Sequence, residues 1–171
     1  MKKLILLFVI TFASSQMSNA QIYVGIEGSI LYPFATLANE VDAGYGPSLS
    51  LGYIIKNKVV VSAGYELLFF STLQQEFRLQ SGYVSFKYLI INKKINPYLG
   101  FQVGNYQYSK YLTPTLNAKE NAFGIRPMAG IKTNSGLTDK LKIDISTSFS
   151  KIFFKNNYKF LSLKIGLHYY F

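Results

Sequence analysis

Residues 158–171 read YKFLSLKIGLHYYF, and their pattern decides the fold. Counting back from the last residue, Phe171, Tyr169, Leu167, Ile165, Leu163 and Leu161 fill every second place. Between them stand Tyr170, His168, Gly166, Lys164 and Ser162, small or polar apart from one tyrosine. A period of two sends the two sets to opposite faces of a strand. One face suits hydrocarbon and the other suits water. The edge strand of a soluble sandwich competes for the same segment, so the rest of the chain has to decide.

The pattern recurs throughout. In residues 140–153, Leu141, Ile143, Ile145 and Phe149 oppose Lys142, Asp144, Ser146, Ser148 and Ser150. Residues 122–132 set Phe123, Ile125, Ala129 and Ile131 outward, and residues 97–108 set Leu99, Phe101 and Val103 against Tyr98, Gly100, Gln102 and Gly104. Residues 45–55 and 59–70 form a hairpin about the polar turn Lys56-Asn57-Lys58. The first strand starts at Gln21 and alternates Ile22, Val24, Ile26 and Ile30 with Tyr23, Gly25, Glu27 and Ser29. Residues 76–91 change parity midway: Phe77 and Leu79 share one face, Val84, Phe86, Tyr88 and Ile90 the other. Either a bulge near Gly82 or a first half standing above the membrane accounts for this. Pro127 cannot donate to a ladder and predicts a bulge or weak pairing in strand six.

That makes eight strands, an even number, each long enough for the ~9–11 tilted residues a bilayer crossing needs. The longest connections, residues 32–44 and 109–121, fall on one side and are expected to be outer loops. Aromatic rings favour the head-group level. Tyr32, Phe34, Phe69, Phe70, Tyr108 and Phe154 suggest one girdle, Tyr53, Tyr88, Tyr169 and Phe171 the other, although Phe70 and Tyr108 have inward parity.

Composition agrees. The chain has 171 residues, one domain's worth, with 14 tyrosines, 14 phenylalanines and only 15% charged residues. Mean hydropathy is only +0.16, because each apolar residue of a barrel strand is diluted by a polar one. Cysteine is absent and His168 is the one histidine, which excludes a disulfide framework and a thiolate metal site. No cofactor is expected. The net charge of +10 is spread through alternating strands, without the basic helix or aromatic motif of a nucleic-acid binder.

The N-terminus reads as a processing segment. Lys2 and Lys3 precede a short apolar run, and Ser18-Asn19-Ala20 makes a small-residue cleavage site. Residues 1–20 are therefore expected to be a cleaved signal peptide, and 21–171 the barrel domain.

The signal peptide, the alternation through residues 98–103 and 141–149, and the closing aromatic resemble the small eight-stranded bacterial outer-membrane barrels. These include the transmembrane domain of outer-membrane protein A, outer-membrane protein X and related porin-family β-barrel proteins. The resemblance implies an all-β, antiparallel, up-and-down transmembrane barrel in the outer membrane of a diderm bacterium. It implies that Tyr169 and Phe171 act as a C-terminal assembly signal for the barrel assembly machinery. It also implies outer-membrane lipids as neighbours, and a non-enzymatic structural or surface role through outer loops toward an unidentified partner. The peptidoglycan-binding domain that follows the barrel in outer-membrane protein A is expected to be lacking. A small-solute pore is one rival. A lipid A-modifying enzyme is another, but the His-x-Ser pair of the lipid A acyl hydrolases fails here, because Tyr169 and Tyr170 follow His168. At the level of fold the rival is a soluble lipocalin-like barrel, with apolar residues inside.

The inward face carries Glu27, Glu66 and Asp144 with Lys87, Arg126, Lys132, Lys142 and Lys164. Eight strands enclose space only for side chains. Glu27, Glu66, Lys87, Arg126, Asp144 and Lys164 are therefore expected to form a lumen charge network, with Glu27 or Asp144 as partner of Arg126 or Lys164. Inward glycines, among them Gly52, Gly64, Gly124 and Gly130, should make room for large neighbours such as Tyr98 and Arg126. His168 is expected to be a lumenal polar residue near the periplasmic rim.

Overall fold

Alternation closes into a barrel. The computed structural model describes residues 21–72, 77–91, 94–113 and 116–171, the side chains of 109–119 excepted. Residues 1–20, read above as a signal peptide, lie outside the described residues. The strands are β1 (Gln21–Phe34), β2 (Gly44–Ile55), β3 (Val59–Phe70), β4 (Phe77–Leu89), β5 (Ile95–Thr113), β6 (Leu116–Asn134), β7 (Leu141–Ile152) and β8 (Tyr158–Tyr170). They pair in chain order, and β8 closes on β1 through a register running from Tyr23↔Tyr170 to Phe34↔Lys159. All neighbours are antiparallel. Closure leaves no edge in the wall, which is what allows the outer face to be apolar.

That face is apolar almost without interruption. Ile26, Leu49, Leu51, Leu99, Phe101, Leu163, Ile165 and Leu167 are all exposed on it. The inward positions hold Glu27, Glu66, Arg126, Lys132 and Asp144 in burial. This is the inverse of a lipocalin-like barrel.

One end carries Gln21, Phe171 and the β2–β3, β4–β5 and β6–β7 connections; we refer to it as the turn end. At Lys56 and Asn57 both φ values are positive, 49° and 57°, and Lys58 N donates to Ile55 O at 3.0 Å. Positive φ at both central residues is the preference of the turns that match strand twist, here within the three-residue connection between the paired Ile55 and Val59. The opposite, loop end carries the β1–β2 connection, where Ala35–Asn39 forms a 3-10 turn.

Four expectations need adjustment. Most of the segment expected as a loop at 109–121 is strand: among its described residues β5 and β6 continue as a ladder to Thr113↔Leu116, with an irregularity between Tyr111 and Thr113. Polar composition reads as loop, but a two-stranded ribbon beyond the membrane can be polar on both faces. Similarly, β1 runs on to Phe34, since Tyr32 and Phe34 pair with Leu161 and Lys159 of β8. The parity change in β4 involves no bulge. Its register with β3 and with β5 is unbroken, and Phe77 and Leu79 point inward into an apolar cluster. Phe70, Tyr108 and Phe154 leave the proposed girdle for the same cluster, whereas Tyr32 and Phe34 stay exposed.

Pro127 weakens pairing without a bulge. The β6–β7 ladder skips Arg126 and Pro127 between Ile125↔Lys151 and Met128↔Ser148, then resumes in the same register. Pro47 does the same to β2–β3, between Tyr45↔Phe69 and Ser48↔Glu66. Each proline lacks the donor that those positions need.

Candidate functional site

The candidate site is the barrel interior, which is stacked in three tiers. At the loop end, Leu31, Leu68, Phe70, Phe77, Leu79, Tyr108, Phe154, Tyr158 and Phe160 turn inward. Leu37 and Val41 of the β1–β2 connection are buried among them, so that connection folds over the mouth. Ring pairs lock the cap: Phe70 lies edge-on to both Phe77 (5.6 Å) and Phe160 (5.7 Å). Tyr158 Oη donates to Glu40 Oε2 at 3.1 Å and ties the connection to β8.

The middle tier holds the charge. Arg126 donates two parallel hydrogen bonds to Glu66, at 2.8 and 2.7 Å, and a third from Nε to Ser150 Oγ at 2.6 Å. The fork geometry of guanidinium and carboxylate makes such a pair the strongest of its kind. The Phe160 and Tyr106 rings lie 5.4 and 5.9 Å from the guanidinium carbon. Lys164 bridges downward, with Nζ 3.6 Å from Glu66 and 3.1 Å from Glu27. Glu27 also accepts from Ser48 Oγ at 3.1 Å and meets His168 Nε2 at 3.0 Å.

Across the barrel Asp144 gathers a second group. Lys87 Nζ lies 2.9 Å from Oδ2, Tyr98 Oη donates to Oδ1 at 2.6 Å, and Lys132 Nζ is 3.8 Å away. Lys132 donates instead to Tyr170 Oη at 2.8 Å and sits 4.9 Å from the Tyr23 ring centre. Tyr23, Ile54, Val60, Leu89, Tyr98 and Tyr170 form the lowest, aromatic tier at the turn end.

The structure thus brings Glu27, Glu66, Arg126 and Lys164 into one group and Lys87 and Asp144 into another, with His168 between them, Nε2 3.0 Å from Glu27 and Nδ1 3.9 Å from Asp144. The partner expected for Arg126 is corrected: it is Glu66, on a strand that does not neighbour β6. Strand parity gives the facing of both residues, but their height is set by the stagger of eight registers around the wall. Lys164 does pair with Glu27. Lys142 is only half-buried and lies over the Tyr170 ring at 4.5 Å. His168 is inward, as expected, and fully buried, stacked at 4.6 Å between centroids on Tyr23 of the turn-end tier. Tyr169 and Phe171 project outward at the turn end, with rings 5.2 Å apart.

Tyr98 and Tyr106 as binding partners were legible only indirectly, through the glycines. Tyr23 faces Gly52, Tyr83 faces Gly64 and Tyr98 faces Gly130 across adjacent strands. A methyl group at Gly130 would lie 2.7 Å from the Tyr98 ring, and one at Gly124 2.6 Å from Tyr106. Each glycine is the space its tyrosine occupies. A cavity of about 10 Å³ lies among Glu27, Tyr83, Lys87, Arg126 and Lys164. That accommodates about one water molecule at most.

No protein-family model matches the sequence, and no curated protein matches it. Solved structures do match. Neisserial surface protein A superposes with a TM-score of 0.76 at 20% identity, covering 90% of this chain and 100% of that one. The N-terminal β-barrel domain of Pseudomonas aeruginosa OprF gives 0.56 at 14% identity, covering 88% and 100%. The attachment invasion locus protein Ail of Yersinia pestis gives 0.53 at 17% identity, covering 89% and 97%. The chain has the fold of the eight-stranded outer-membrane β-barrels.

Proposed function

We propose that this chain is an integral outer-membrane barrel whose interior is a structural plug, and that it works through its outer surface as a non-enzymatic structural or interaction protein. The observation that carries the reading is the packed interior: among the described residues, three tiers of side chains inside an apolar wall, with a cavity of about 10 Å³ in the charged one. Such a wall needs a hydrocarbon neighbour, and such a core offers a solute no path. The similarity to outer-membrane barrels supports the location. Catalysis by His168 is disfavoured because the ring is fully buried and held by Glu27 and Tyr23. Residues 1–20 act as the export signal in this reading, and Tyr169 and Phe171 present the strand that the assembly machinery engages.

The turn end then faces the periplasm and the loop end the exterior. With no native cysteine, single thiols report the orientation directly. Asn156→Cys lies in the β7–β8 connection at the loop end and Asn57→Cys in the β2–β3 turn. A membrane-impermeant maleimide on intact cells should label Asn156→Cys and spare Asn57→Cys. The protein should sediment with outer membranes and migrate faster on gels before boiling than after. Recovery of the unmodified chain in the soluble fraction would contradict the reading.

A further inference from the structure

On the outer wall, Lys151 of β7 stands directly opposite Lys159 of β8. Both have outward parity and both are half-buried. Like charges directly opposite on a sheet repel and destabilise it. Lys155 adds a third cation in the exposed turn between these strands. Among the described residues no carboxylate lies within ion-pair distance of any of the three ammonium groups. The nearby Glu120 carboxylate accepts from the backbone N of Lys155, at 3.5 Å.

The surroundings fix the level of the pair. Lys159 is the register partner of Phe34, and Lys151 that of Ile125. Phe153 stacks on Phe123 at 6.4 Å, and its ring centre lies 5.0 Å from Lys151 Nζ. Phe34, Phe123 and Phe153 are exposed outward aromatics at the loop end, the belt that marks a head-group layer. Long lysines at that level reach toward phosphate while their stems lie on apolar wall.

A second feature lies below on the same strands. Gly28 faces outward on β1 and a side chain there would meet nothing within 4 Å. It leaves an open groove of about 440 Å³ lined by Ile30, Ile145, Leu163 and Ile165. Gly28, Ile165 and Ile145 form one continuous row across β1, β8 and β7. Lys159 and Leu163 are four residues apart, about 13 Å along the strand, which a single acyl chain spans.

We propose that Lys151, Lys155 and Lys159 hold the phosphate of a phosphorylated outer-leaflet lipid, one of whose acyl chains lies in the groove at Gly28. The site rests on the membrane orientation given above. Its anion answers the charge of a lysine pair that is otherwise repulsive, and its chain fills the groove that Gly28 leaves in the wall directly below that pair.

The test is native mass spectrometry of the folded barrel in detergent, with bisphosphorylated lipid A, phosphatidylcholine and inorganic phosphate as separate probes. Lipid A should be retained about tenfold or more tightly than phosphatidylcholine, and Lys151→Gln/Lys159→Gln should remove that preference. The turn-end control Lys56→Gln/Lys58→Gln should change retention less than about twofold. Gly28→Leu, which fills the groove, should weaken lipid A retention with the lysines intact. Millimolar phosphate should not displace the lipid; displacement would make this a soluble-anion site and overturn the lipid assignment. Thermal unfolding separates a merely structural role. In zwitterionic detergent Lys151→Gln/Lys159→Gln should be at least as stable as the wild type, and added lipid A should raise only the wild type's Tm. Equal retention by both proteins, or equal loss in the turn-end control, would overturn the site. A chain that shows no heat-modifiable folded band fails the membrane reading itself, whereas a folded barrel without selective retention fails only this site.

Discussion

The middle tier of the barrel and its loop-end cap lie on the same inward face of the same strands, yet they are built from opposite chemistry. On β8, Ser162, Lys164, Gly166 and His168 give way within one turn of the alternation to Phe160 and Tyr158. On β3, Glu66 gives way to Leu68 and Phe70, and on β4 Lys87 and Ser85 give way to Leu79 and Phe77. The middle tier needs specific partners, because a buried charge is tolerable only when paired. The cap needs volume, and rings supply it. Together they close the barrel by two independent means, one directional and one not.

The comparison is most easily broken at Glu66. Glu66→Ala leaves the Arg126 guanidinium buried without its carboxylate, and no other acid lies within ion-pair distance of it among the described residues. Arginine cannot shed its charge. The expected loss is about 3–5 kcal/mol in urea unfolding from liposomes, with much of it recovered in Glu66→Ala/Arg126→Met. Next comes the wall that surrounds both tiers. Ile145→Arg puts a charge on the outward face of β7 near mid-strand, beside Ile165, and should cost about 2–4 kcal/mol in the same assay. A loss near zero would mean that this face does not meet lipid.

Two smaller changes sharpen the contrast. Gly130→Ala sets a methyl group against the Tyr98 ring, whose hydroxyl donates to Asp144. Overpacking should cost about 1–3 kcal/mol, read as a lowered urea midpoint. In the cap, Tyr158→Phe keeps the ring and removes only the hydrogen bond to Glu40. The expected cost is about 0.5–1.5 kcal/mol, with faster proteolysis of the β1–β2 connection as a second readout. A loss well above this range would mean that the tie to Glu40, and not ring packing alone, holds the cap.

Facing was legible in the sequence because it depends only on neighbours two apart. Ile143 and Ile145 against Asp144 and Ser146 already separate the outer wall from the lumen, and the structure keeps every one of those assignments. Tiering was only partly legible. Phe77 and Leu79 looked like a break in β4, because an inward apolar residue contradicts a polar lumen unless the mouth is known to be capped. For Arg126 the sequence placed both it and Glu66 in the outer halves of their strands but did not give the pairing between them. Glu66 and Arg126 are 60 residues apart on strands that share no ladder, and only the closed stagger of the wall brings them level. The β5–β6 ribbon was hidden for a different reason: above the membrane nothing forces a two-residue period, so a polar ladder and a polar loop share one composition.

The central claim is that the lumen is closed, and single-channel recording in planar bilayers tests it most directly. The wild-type barrel, verified as folded by its heat-modifiable migration, should insert without producing discrete conductance steps above the bare-membrane baseline. Among the described residues, the cavity between the paired charges has room for about one water, and the apolar cap packs above it. Stable, large and reproducible steps from the wild-type protein would contradict the closed-lumen account and make a solute pore the better description.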